Sequence, residues 1–124
     1  MAGETQLLKF DTIVADGVAI PFEDGSGTLE GAARWENTVV ASASGDDFTS
    51  RRRVPSMVRA KILFGNTQDP AAWAAMRDIQ ITARDTVSGR RCVMTRCSFA
   101  SMGAIGGGGS VDIAFNVLSA IQWL

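Results

Sequence analysis

Three stretches of this chain alternate apolar and polar residues with a period of two, and that restricts the fold more than any other feature. In residues 56–64, Val58, Ala60, Ile62 and Phe64 fall on one side, and Arg59 and Lys61 on the other. Residues 79–85 set Ile79, Ile81 and Ala83 against Gln80, Thr82 and Arg84. Residues 111–119 set Val111, Ile113, Phe115 and Val117 against Asp112, Ala114 and Asn116. Successive strand side chains point to opposite faces, so each stretch reads as a strand with one face on a core and one in water. Strands of that kind belong to antiparallel sheets.

The punctuation between them agrees. Asp16-Gly17 is a tight-turn signal between a strand over residues 9–15 and a return over residues 18–23, where Pro21 marks an edge or an irregularity. Gly25-Ser26-Gly27, Ser88-Gly89 and the glycine-rich run 103–109 are further turns, with a long strand over residues 91–102 between the last two. Residues 28–40 are ambiguous between strand and weak helix. One helix has a clear start: Asp69 is a good N-cap and Pro70 suits the first helical position, so about two turns are expected over residues 70–77, with Trp73 and Met76 inward. Residues 41–55 read as a polar loop too long to be an idle hairpin connection, with Phe48 out of place in its middle. Residues 1–8 read as an arm, and residues 120–124 as an apolar tail docked on something. The expected fold is mainly β, an antiparallel β-sandwich or barrel with one short helix, as a single domain over residues 1–124.

Catalysis finds little support. The chain has no His and no Tyr, so the usual base near neutral pH is missing, and an enzyme is disfavoured. The run Gly106 to Gly109 precedes a strand and lacks a lysine, so it fails both nucleotide fingerprints. No cofactor or metal ion is expected. Cys92 and Cys97, five apart on one strand, are expected on opposite faces and too far apart to bridge. Cys97 is read with Val93 and Phe99 as a core residue; Cys92, with Met94 and Arg96, is the candidate for an accessible thiol and an intermolecular disulfide.

The net charge of −1 conceals a polar distribution. Through Ser50 there are nine acids and two bases, a net −7; from Arg51 on there are ten bases and four acids, a net +6. The halves either neutralise each other within one fold or attract copies head to tail. Asp46 and Asp47 are expected to pair with Arg51, Arg52 and Arg53 in the same loop, and the three arginines, without interleaved aromatics, suit an acidic patch on another copy better than nucleic acid. No secretory signal and no apolar run of membrane-spanning length is evident, so folding in a cytoplasm is expected and no membrane partner.

The order of these elements resembles the tail tube proteins of contractile-tailed bacteriophages, the Mu-like family. The resemblance runs from about Thr12 to Ser119. It rests on Asp16-Gly17-Val18, on Val-Pro-X-Met-Val-Arg-Ala-Lys over residues 54–61, and on Asp-X-X-Ala-Trp from Asp69 followed by Asp-Ile-Gln-Ile-Thr-Ala ending at Ala83. The glycine run and the apolar C-terminus depart from the family pattern. The resemblance implies a structural virion protein: six subunits forming a ring with a continuous β-barrel, rings stacked into a tube, and DNA passing through into the host without specific binding. At about four strands per subunit, a barrel near ~50 Å across follows from strand spacing and tilt. It implies a sheath, tape-measure and baseplate proteins as partners, assembly in the host bacterial cytoplasm and residence in the virion tail. Asp46, Asp47, Phe48, Arg51, Arg52 and Arg53 are then candidates for contacts between rings or subunits. Because a conduit must not hold phosphates, Asp11, Glu23 and Asp112 are candidates for the lumen face. The alternatives are the inner-tube protein of a type VI secretion system and a monomeric β-sandwich binding module. The latter is weakened by the small aromatic set, with Trp35, Trp73 and Trp123 the only tryptophans.

Overall fold

Aspartate and glycine at positions 16 and 17 both adopt positive φ, +51° and +79°, which gives a two-residue turn the twist its strands require. The turn joins β1 (Thr12–Ala15) to β2 (Val18–Ala19), with Ala15 opposite Val18. The computed structural model describes residues 6–124, so most of the expected arm over residues 1–8 lies outside it. The remaining elements are β3 (Thr28–Glu30), β4 (Trp35–Val40), β5 (Phe48–Arg53), β6 (Ser56–Leu63), α1 (Pro70–Ala74), β7 (Ile79–Arg84), β8 (Arg91–Met102), β9 (Ser110–Val117) and β10 (Ile121–Trp123).

One eight-stranded antiparallel sheet runs β2-β1-β7-β8-β9-β6-β3, with β10 paired to β8 beyond the end of β9. All three alternating stretches are strands of it, and their apolar faces form the core: Val58, Ala60 and Ile62; Ile79, Ile81 and Ala83; Val111, Ile113, Phe115 and Val117. The sheet curls over that face. A Cβ placed on Gly27, just before β3, would lie 3.2 Å from Cδ1 of Ile13 on β1, so the two ends of the strand order meet. The curl does not close into a barrel. Pro21 has no N–H to donate, β2 stops after two residues, and residues 21–23 instead cross to β6. There they make a single bridge, Phe22 to Ile62, flanked by N–H···O=C bonds from Glu23 to Lys61 (2.7 Å) and from Leu63 to Pro21 (3.0 Å).

The helix is shorter than its start signal promised. Asp69 accepts a hydrogen bond from the Ala71 N–H at 3.0 Å and Pro70 opens the first turn, but the helix ends at Ala74 with Ala75 as its C-cap, and the chain reverses at Asp78, φ +54°. Trp73 is buried from α1 into the core, its ring 6.4 Å from that of Phe115, which also meets Phe99 edge-on at 6.1 Å.

Strand β8 corrects the reading of the cysteines. Ile81 pairs with Met94 and Ile79 with Cys97, so two residues of β7 span three of β8. The extra residue is a bulge at the exposed Thr95 and Arg96, whose guanidinium Nε donates to Asp78 at 2.8 Å. A one-residue insertion exchanges the faces, so Cys92, Met94 and Cys97 all point into the core. Both thiols are free and fully buried, and Cys92 is not the accessible thiol the uninterrupted strand suggested. Burial raises the pKa of both, that of Cys97 to about 11.

Gly31 ends β3 with φ +65°, and a Cβ there would sit 2.5 Å from the Pro55 carbonyl oxygen. Its own carbonyl accepts from the buried Ser56 hydroxyl at 2.8 Å. Gly31→Ala combines a left-handed conformation with a backbone clash and is expected to cost roughly 2–4 kcal/mol. Thermal unfolding of the variant measures it; a melting temperature equal to that of the native chain would show that the 31–55 junction yields freely.

Candidate assembly surface

The segment expected as a polar loop is mostly strand. β4 and β5 form a six-pair antiparallel hairpin, from Trp35 opposite Arg53 at the base to Val40 opposite Phe48 near the tip. A bond from the Val54 N–H to the Arg34 carbonyl, 2.7 Å, closes the base. All twelve strand residues are exposed, and neither strand packs against any other strand or helix of its own chain.

Residues directly opposite each other share a face. One face carries Trp35, Asn37 and Val39 with Thr49, Arg51 and Arg53; the other carries Glu36, Thr38 and Val40 with Phe48, Ser50 and Arg52. Arg51 stacks its guanidinium 3.9 Å from the Trp35 ring centroid, and Arg52 pairs with Glu36 across the ladder. Asp46 and Asp47 therefore do not neutralise the arginines as expected. The arginines lie toward the base of the hairpin and the two acids precede β5 at its tip. Among the described residues neither acid has an ion-pair partner. Trp35, Val39 and Val40 were missed as surface residues. Their strand has no buried face, so its sequence lacks the alternation that marks the others.

The three acids considered for a lumen separate into two places. Glu23 lies 3.7 Å from Lys61, and Lys61 is the ladder partner of Asp112, so these two share the polar outer face of the β6–β9 region. There Arg59 also pairs with Glu30 at 2.9 Å. Asp11 sits elsewhere. It accepts from the hydroxyl and N–H of Thr86, bonds that together with one from Thr12 hold its carboxyl below the ordinary value against the opposing effect of desolvation.

Asp85 completes that corner. Burial disfavours its charge, but N–H groups of Lys9, Ser88 and Val87 outweigh burial and lower its pKa from 3.8. A depressed native pKa stabilises the fold above about pH 4 and is lost as the pH falls through the native value. The melting temperature is therefore expected to drop below pH 4 partly through Asp11 and Asp85, and less steeply in Asp85→Asn; parallel acid limbs for the two proteins would remove Asp85 from that role.

No His, Cys, Asp or Glu cluster able to hold a metal ion occurs among the described residues, and no described helix is long and apolar enough to cross a membrane.

The fold is that of subunits of contractile injection particles. At 10% identity and a TM-score of 0.69, the chain matches a chain of the sheath/tube terminator of an extracellular contractile injection system in the extended state, covering 99% of each. It matches a chain of the sheath-tube complex of such a system at 10% identity and TM-score 0.61, over 91% of this chain and 86% of that one. It also matches the anti-feeding prophage tube-terminating cap at 10% identity and TM-score 0.64, over 100% and 94%. No protein-family model and no curated protein matches the chain.

Proposed function

We propose that this chain is a structural subunit of the tail tube of a contractile phage tail or a related injection particle, assembling with copies of itself as stacked hexameric rings that form a conduit. One observation carries the proposal: a six-pair hairpin whose strands pack against no other described strand or helix. An isolated two-stranded hairpin is marginal in water, and one bearing exposed Trp35, Val39, Val40 and Phe48 has its stabilising surface outside the monomer. Open sheet margins add to it. Leu124 and Arg91 exchange both backbone bonds, so the N–H and C=O groups of Ile121 and Trp123 point away from β8, where no described strand receives them.

In this reading Asp46, Asp47, Phe48, Arg51, Arg52 and Arg53 make contacts between copies. Glu23 and Asp112 belong to the face turned to the lumen, and a mixed-charge face of that kind lets DNA pass without holding it. Asp11, committed to Thr86, serves the fold instead. The surrounding sheath is the outer partner, with tape-measure and baseplate proteins at the ends. The near-complete mutual coverage of a terminator chain favours a second reading of the same class, a subunit at the tube's end.

Negative-stain microscopy and light scattering of the purified protein test this. Filaments of uniform width support the tube subunit, and rings that do not lengthen support the tube end. A monomer that persists at high concentration overturns both.

A further inference from the structure

Beside the loop 85–90 and β10 lies an apolar groove of about 670 Å3, lined by Gln6, Leu8, Arg90, Trp123 and Leu124. Its floor is aromatic. Trp123 is stacked on Phe10, ring centroids 6.4 Å apart, and the Arg90 guanidinium lies 5.2 Å from its ring centroid. Leu8 and Leu124 remain about half exposed, and Val87 in the loop is 80% exposed. The one acidic side chain on the lining, Asp85, is buried and already accepts from three backbone N–H groups. Arg90 has no acidic partner among the described residues. The groove is thus apolar with an uncommitted cation.

The hairpin tip has the opposite character. Val40 and Phe48 face each other on the ladder and project on the same side, 51% and 64% exposed. Asp46 and Asp47 immediately precede Phe48, and no described cation pairs with them. One aromatic anchor, one aliphatic neighbour and two uncommitted carboxylates match a groove with an apolar floor and one uncommitted guanidinium. Such complementarity sets register and partner choice.

We infer that the β4–β5 tip of one copy seats in the Leu8–Trp123–Leu124 groove of another, with Phe48 on the floor and Asp46 and Asp47 against Arg90. The inference rests on the self-assembly proposed above and names its mating surfaces. Tip and groove are different patches of the same chain, so the contact is heterologous and propagates from copy to copy.

A charge exchange on the full chain tests it. Arg90→Glu alone, and Asp46→Arg with Asp47→Arg, are each expected to raise the concentration needed for assembly about tenfold or more; all three together should restore it to within about threefold of native. The substituted residues are exposed, so monomer melting temperatures should be unchanged. Single-site variants that assemble as the native chain does, or a combination no better than the worse parent, overturn the groove assignment. A photo-cross-linking p-benzoylphenylalanine in place of Phe48 gives an independent reading: in assemblies of the chain it should be recovered on peptides containing Leu8 or Trp123 of another copy, and recovery elsewhere overturns the assignment. A native chain that never assembles defeats the tube reading itself, an outcome distinct from normal assembly with indifferent variants.

Discussion

Replacing residues 35–53 by Asn-Gly is expected to leave a folded monomer that no longer assembles. The native Val54 N–H already bonds the Arg34 carbonyl, the closure a two-residue hairpin turn requires, so the shortened chain needs no new path. Because neither β4 nor β5 packs on the sheet, stability should change by no more than about 1 kcal/mol. Under the proposed function, assembly should by contrast be abolished at every concentration tested. Sedimentation velocity and a thermal melt measure the two quantities separately. Unchanged assembly would mean that the arm is incidental. A large fall in melting temperature would mean that it holds the fold through a contact the structure does not contain.

The second large effect lies in the core. Phe115 is buried on β9, with Trp73 of α1 on one side and Phe99 of β8 on the other. It is the residue through which α1, β8 and β9 meet. Phe115→Ala is expected to cost about 3–5 kcal/mol, from the lost burial and from the cavity left between Trp73 and Phe99. For a chain of this length that is a fall in melting temperature of roughly 10–20 °C. A smaller loss would show that Trp73 moves into the vacancy, which the short helix would permit.

The elements legible in the sequence are those whose pattern is imposed by one buried face. β6, β7 and β9 alternate because one side of each faces the core. The Asp16-Gly17 turn and the Asp69 cap were legible because each depends on local chemistry alone. The rest depends on relations between distant residues. Glu36, Asn37 and Thr38 opposite Arg52, Arg51 and Ser50 show no alternation, because the hairpin has no inside until something covers it. The bulge at Thr95 and Arg96 leaves no mark in β8 alone; it exists only against β7, and it reverses the reading of Cys92. The uncapped curl of the sheet follows from Pro21 diverting the chain from β1 to β6, a choice of partner that no single stretch specifies. Of the candidate surface, the acids and arginines were singled out by their charge and the tail with Trp123 by its apolar character, while Val40 carried no signal of exposure.

The register shift in β8 also bears on where such a subunit can travel. With both sulfurs sealed beneath the sheet, a change from a reducing medium to an oxidising one meets no exposed thiol among the described residues, so covalent cross-linking neither hardens nor misjoins neighbouring copies. Any contact between copies of the proposed assembly would then rest on surfaces that carry no cysteine.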